Sequence, residues 1–495
     1  MARARKTALA PVTESNAPVT ESIPATAPEA STTAASQVLC LLGIEGLGVL
    51  APVLLAALVT AEPLLLIGAH GTGKSLLLMR IGEALGLSVR HYNASLLNFD
   101  DLIGFPLPAK DGTLQYIRTP ASIWGAGAVI FDEVSRCRPD IQNKLFPIIH
   151  ERRAQGLLLE SLRYRWAAMN PPATEDSDSG YLGSEPLDPA LADRFAYIVR
   201  MPDWEALSEV EQLRVIRSES LPVPAVVALQ LQQLVAQAGS LLLPVSEQLG
   251  AARGVYVRAF MALTAQAGIH LSARRAAMLH RNIAAIHAVR STLDLGAQAE
   301  DSAWLAVAHG IPQHAEGKTV AEGKLFAAHK EAIRIAGLKT GDPIAQALLT
   351  RDPLLRLHRA VHSTLPRGDL STLVADAFAQ LRPGQRDAVA YYLFQTGLAG
   401  RLNAAIAEQL AARYQNIEDP IVFSETWHAS HPRYRAWQVV KNALSRLDPS
   451  DAQAHRIANG IAAAFQRKEL ETEAQIHAAC EDIPVTEALL FGAVA

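Results

Sequence analysis

The chain has 495 residues, too many for one hydrophobic core, and this length points to about three domains. Its 45 basic and 49 acidic side chains leave a formal net charge of −4, which argues against a general polyanion binder but leaves a local basic groove open. Cys40, Cys137 and Cys480 are too widely spaced for a metal or disulfide framework, which points to a reducing, cytoplasmic setting.

Residues 1–37 are rich in Ala, Pro, Ser, Thr and Glu and repeat PVTES at Pro11–Ser15 and Pro18–Ser22. Such a stretch buries too little apolar surface to offset the entropy of ordering, so a disordered tail is expected. The opening MARARKTALAPVTES has no apolar core of the secretory kind. Gly46–Ala61 is a 16-residue run without a charge, bracketed by Glu45 and Glu62 and interrupted by Pro52. It is shorter than the roughly 20 residues a membrane-spanning helix needs. We read it as a buried helix packed on the domain that follows.

Over residues 38–204 short apolar runs alternate with helical patterns, as in a parallel α/β sheet. The expected strands are Leu64–Ile67, Val89–Asn93, Ala128–Phe131, Tyr164–Met169 and Ala196–Met201. Between the second and third, the turn signal Lys110–Gly112 marks a hairpin inserted in a crossover. Residues 205–315 read as a small helical domain, with glycine stops expected at Gly239 and Gly268. Residues 316–495 read as seven or so further helices, with neither a fixed-period repeat nor a chemical motif.

The chemistry concentrates at the ends of the expected strands. Gly68–Leu78, GAHGTGKSLLL, fits GxxxxGK[ST] through Gly68, Gly73, Lys74 and Ser75, between an apolar strand and a helix start. That context lets backbone N–H groups of a glycine loop and a helix N-terminus cradle phosphates. The nucleotide-binding set is Gly68, His70, Gly71, Thr72, Gly73, Lys74, Ser75 and Leu76. Lys74 would reach the β and γ phosphates of ATP, and the Ser75 hydroxyl would ligate Mg²⁺. Asp132, ending the run Ala128–Phe131, would hold the same Mg²⁺, and Glu133 would polarise a water in line with the γ-phosphate. Asn170 ends the next strand before two prolines and could position that water against Glu133. Arg194, in LDPALADRF, could pair within its own chain or neutralise transition-state charge on a neighbour's γ-phosphate.

In this order, the loop, the acidic pair, Asn170, Arg194 and a helical domain resemble the AAA+ ATPases, and within them the MoxR-like group, over roughly residues 40–300. DEVSRCRPDIQNKLFPIIHERR is similar to that group's Walker B strand and helix, and DPALADRF to its arginine-finger segment. SARRAAML, Ser272–Leu279, is similar to its sensor 2 helix start. The resemblance implies that Arg274 reaches the bound phosphates from the lid. Ala273 stands where a proline is usual, which leaves Arg275 as the alternative. His70 also replaces a usual proline. The Lys110–Gly112 hairpin is similar to the helix 2 insert that this clade shares with magnesium chelatases, dynein-like motors and McrB-type motors. The implied fold is a P-loop AAA+ parallel sheet core with an α-helical lid, followed here by an additional all-α C-terminal domain. The implied assembly is a ring, usually hexameric, with the nucleotide wedged between the α/β domain and its lid.

The resemblance implies an ATPase that remodels a protein client, often with a von Willebrand A domain partner. A nucleic-acid motor of the McrB or helicase kind is the alternative, but it would need a basic lining or a DNA-reading module, and neither is visible. A non-hydrolysing switch sits poorly with Glu133 and Arg194. Three further features read more simply as structure. Trp427, His428, His431, Tyr434 and Trp437 look like core aromatics and surface histidines. Arg152 and Arg153 look like a solvated helix end. Arg136 is placed either for its own chain or for a subunit edge.

Overall fold

The computed structural model describes residues 39–108, 110, 114–172, 184–217, 222–293, 296–339, 341–419, 428–448 and 450–492. The tail over 1–37, Asp111 and Gly112 of the expected turn, and Trp427 lie outside the described residues.

Five parallel strands form the central sheet: β1 (Leu64–Ile67), β2 (Val89–Asn93), β5 (Ala128–Asp132), β8 (Tyr164–Met169) and β9 (Tyr197–Arg200), in the order β2-β5-β8-β1-β9. All five lie where the apolar runs place them. The near-continuous hydrophobicity of β1, β5, β8 and β9 follows from burial on both faces, whereas the edge strand β2 reads VRHYN and is buried only at Tyr92. Leu64, Leu66, Trp166 and Val199 point into one core, and Leu65, Ile67, Phe131 and Met169 into the other. Helices α1 (Ala51–Thr60) and α2 (Lys74–Ala84) fill the first side, and α3 (Pro139–Glu151) fills the second. An antiparallel pair, β3 (Phe105–Pro108) and β4 (Leu114–Ile117), supplies the hairpin in the β2–β5 crossover. A shorter one joins β6 (Arg153–Ala154) to β7 (Leu157–Leu158).

Helix α1 is buried from Ala51 to Leu58. Pro52 does not interrupt it. It lies in the first turn, where its missing N–H costs no hydrogen bond and its fixed φ suits the helix. Residues 46–50 and the C-cap Ala61 of the uncharged run stay outside the helix.

The helical domain departs from expectation at two points. Gly239 stops nothing, since it lies inside α4 (Ala225–Gln266), whose break falls instead at Gly250, with φ 48° and ψ −144°. That conformation is open to glycine and strained for other residues. Gly268, with φ 83°, does follow the end of α4. Helices α5 (Ala273–Thr292) and α7 (Glu322–Ala336) pack against α4, and α6 (Ala299–Ala308) packs against α5 and α7. Leu325, Ala328, Ala332 and Ile335 of α7 share the core of the lid and α1, so the helical domain reaches past residue 315.

Among the described residues, eight α-helices follow, from Pro343–Leu348 to Glu473–Gly492. Prolines in this region open helices: Asp342 and Asp352 each cap the turn begun by the next residue, Pro343 or Pro353. Two cores result, one around Leu357, Leu370 and Leu393, the other around Val440, Ile461 and Phe465. Helix Pro383–Gln395 contributes to both, through Val389 and Ala388.

Gly239 and Gly250 of α4 separate conformational freedom from space, because an added Cβ meets nothing within 4 Å at either. Gly250→Ala should destabilise the protein by roughly 1–3 kcal/mol through backbone strain. Gly239→Ala should stabilise it by about 0.5–1 kcal/mol through helix propensity. Opposite shifts of the unfolding midpoint in urea are the expected result.

Candidate active site

Parallel strands bring their carboxyl ends to one edge of the sheet, and β1, β5 and β8 are adjacent there. The chain leaves β1 into the loop from Gly68 to Gly73. Gly71 and Gly73 take φ of 79° and 77°, the left-handed region that glycine enters without strain. At Gly73 space is short as well, because a Cβ would come within 2.9 Å of Ile44 Cδ1. Thr72 closes the turn by donating its hydroxyl to Ala69 O at 2.8 Å. Gly73 is the N-cap of α2, which places Lys74 and Ser75 in its first turn.

A cleft of about 290 Å³ opens over this loop, lined by His70, Gly71, Gly73, Lys74, Ser75, Leu76, Asp132, Glu133 and Asn170. Gly68 and Thr72 shape the loop from outside that lining, and Gly68 borders an adjoining cleft with Arg200 and Asp203. The Lys74 ammonium donates to Gly68 O and Ala69 O at 2.7 Å and to Asn170 Oδ1 at 3.3 Å. Burial lowers its pKa, against the opposing charges of Asp132, Glu133 and Asp203. Ser75 Oγ donates to Asp132 Oδ2 at 2.6 Å, and His91 Nε2 lies 3.2 Å from the same oxygen. Burial works to raise the Asp132 pKa, but hydrogen bonds from His91, Ser75 and the Glu133 N–H outweigh it, so the carboxyl stays below the usual aspartate value.

Glu133 has φ 55°, a left-handed conformation that is uncommon for a residue with a side chain. Its Oε2 is buried without a hydrogen bond. Arg136 Nε stands 3.2 Å away but lacks hydrogen-bonding alignment. Arg136 thus faces its own chain's glutamate. Asn170 is 5% exposed, and its carbonyl accepts from Ser184 Oγ at 3.1 Å. Mg²⁺ fits this donor set: a hydroxyl and an ionised carboxylate already within 2.6 Å of each other offer hard oxygen ligands beside the phosphate loop.

Arg194 and Arg274 are not brought to this cleft. Arg194 precedes β9 and so lies at the amino end of the sheet, opposite the loop. Its Nη1 donates to Ala190 O at 2.5 Å, and its guanidinium lies 4.5 Å from the Phe146 ring centroid on α3. Arg274 was expected to reach phosphates held by its own loop, and the structure corrects this. Helix α5 begins at this same amino end because the hydroxyl of its N-cap Ser272 is bonded to Asp193 Oδ1 and Oδ2 at 2.9 and 2.8 Å. Arg274 Nη1 then pairs with Asp193 Oδ2 at 3.1 Å, beside Arg194. Arg275 is fully buried and donates to the carbonyls of Phe195 and Asp193 at 2.8 and 3.2 Å, so it is a structural clamp with no access to a ligand.

Residues 63–195 match the family model of the AAA domain, dynein-related subfamily. This segment is similar to AAA domains. The match runs from the residue before β1 to Phe195, so the lid and the C-terminal helices lie beyond it. Among curated proteins no match is found. Among solved structures, one described as "a putative ATPase from Cytophaga hutchinsonii" is 20% identical, covering 60% of this chain and 92% of that one with a TM-score of 0.41.

Sequence reasoning missed His91. The strand order sets β2 beside β5, with Asn93 opposite Asp132, and this alone brings the imidazole to the Asp132 carboxylate. The other candidates settle as structure. His428 and His431 are exposed, and His431 caps the helix Pro432–Leu444. The Trp437 ring packs 5.5 Å from that of Phe465, and Arg153 Nη1 bonds Gly156 O at 2.6 Å on the surface.

The adjacent arginines of α5 should therefore behave differently. Arg275→Ala removes a fully buried guanidinium and leaves the carbonyls of Asp193 and Phe195 without their donor, and should cost about 3–5 kcal/mol. Arg274→Ala removes a pair whose arginine is 37% exposed, and should cost under about 1 kcal/mol. Chemical denaturation of the two variants measures the difference.

Proposed function

We propose that this chain is a MoxR-like AAA+ ATPase that forms a ring, the hexamer usual in that group, and hydrolyses ATP at the seam between subunits to remodel a partner protein. A von Willebrand A domain protein is the partner class that the MoxR likeness implies. The observation that carries the reading is the separation of the charged groups. The groups that bind phosphate and activate water share one cleft, while Arg194 and Arg274 lie together at the other end of the sheet.

Backbone N–H groups of the loop would take the phosphates, and the Lys74 ammonium would leave the Gly68 and Ala69 carbonyls for them. Ser75 and Asp132 would hold Mg²⁺, which when bound offsets charge on the phosphate oxygens. The free Oε2 of Glu133 is placed to accept a proton from the attacking water. The Asn170 amide, now turned to Lys74, would orient that water once Lys74 has moved. Arg274 pairs with Asp193 while Arg194 donates only to Ala190 O and lies over the Phe146 ring, and burial followed by these two guanidinium groups lowers the pKa of neighbouring His150, so Arg194 brings a cation to this patch that no carboxylate among the described residues bonds directly. It is suited to an anion presented by a neighbour, such as a γ-phosphate.

Lys74→Ala should abolish nucleotide binding, and Glu133→Gln should bind ATP but turn over at least about 100-fold more slowly. Mixing Arg194→Ala with Lys74→Ala subunits should recover part of the activity that each lacks alone. A mixture as inactive as its components would exclude a shared site.

A further inference from the structure

A second cavity, of about 500 Å³, opens where the end of α1 meets α4 and α5, away from the nucleotide cleft. Val59, Leu242, Leu243 and Ala284 give it apolar walls. Its charged lining residues are Arg253, Arg281 and Glu62, and of the arginines only Arg253 is buried, at 9% exposed. Arg253 Nε donates to His280 Nε2 at 3.0 Å, and Nη2 donates to Ser246 Oγ at 2.8 Å. Nη1 is buried with no hydrogen-bond partner.

Both acceptors are neutral. His280 can accept only through an unprotonated Nε2, and its burial and the neighbouring guanidinium hold its pKa below the usual histidine value. Among the described residues no carboxylate pairs with Arg253, and burial alone depresses its pKa. The other arginine of the cavity, Arg281, is half exposed and already bound to Glu62 at 3.1 Å. A buried cation without a counter-charge is costly, and an anion entering the cavity would relieve that cost.

The walls restrict what the anion is. One unpartnered guanidinium nitrogen suits a single carboxylate, whereas phosphate groups call for several converging donors. The size and the apolar lining suit a small molecule. We infer that this cavity binds a small monocarboxylate with an apolar body, its carboxylate on Arg253 Nη1 and its tail against Val59, Leu242 and Leu243.

Calorimetric titration of the full chain with hexanoate, octanoate and benzoate tests this, with 1-octanol and inorganic phosphate as controls. At least one carboxylate should bind saturably at millimolar concentration or below, and neither control should match it. Affinity should fall by about tenfold or more in Arg253→Met. The same loss should follow in Gly239→Leu, which fills the cavity from α4 where an added Cβ has free space and leaves Arg253 in place. The inference is overturned if none of the three carboxylates saturates the wild-type chain, if phosphate binds as tightly, or if Gly239→Leu binds with wild-type affinity.

Discussion

The contact on which the site depends is the 2.6 Å hydrogen bond between Ser75 and Asp132. These residues are 57 positions apart, in the first turn of α2 and at the end of β5. They meet because β8 separates β1 from β5 by one strand and all three run parallel, so a helix start and a strand end converge at one edge. The same convergence brings Asn170, just past the end of β8, to the Lys74 ammonium between them. Removing any of these three strands from the sheet would dissolve the cleft while leaving every motif intact.

The opposite edge is organised by a different charge. Asp193 receives Ser272, Arg274 and Arg275, and so ties the first turn of α5 to the chain entering β9. Arg275 also bonds strand-entry carbonyls, and Asn282, one further face of the same helix, donates to Ala196 O at 2.8 Å. These buried bonds would be costly to leave unsatisfied, so the lid is anchored at the end of the sheet far from the phosphate loop. The geometry keeps Lys74, Asp132 and Glu133 at one end of the sheet and the guanidinium groups of Arg194 and Arg274 at the other.

The fold itself was largely legible. The apolar runs at β1, β5, β8 and β9 became strands because a parallel sheet covered on both faces demands near-continuous hydrophobicity, while the edge strand β2, VRHYN, carries little of that pattern. The helical region was less legible at its joints. Gly239 and Gly250 are both glycines in apolar helical sequence, and only the packing of the two halves of α4 decides which one bends the chain. Helix α7 likewise gave no local sign that its apolar side, Leu325 to Ile335, belongs to the lid core. Pro52 and the prolines after residue 340 read as interruptions, yet several of them open helices, because the same fixed φ serves both ends of a turn.

For the site, sequence alone determined the loop from Gly68 to Ser75, the acidic pair Asp132 and Glu133, and Asn170. In each case the chemistry requires particular residue types at the end of a strand, and local pattern reveals strand ends. Tertiary structure decided what local pattern cannot encode. It set His91 on Asp132 through strand order, and it sent Arg274 to Asp193 beside Arg194 through the capping of α5. It also left Arg253 buried without a counter-charge. The physical reason is common to all three: a side chain's electrostatic partner is fixed by which elements pack together, and residues far apart in the chain carry no mark of that in their own neighbourhood.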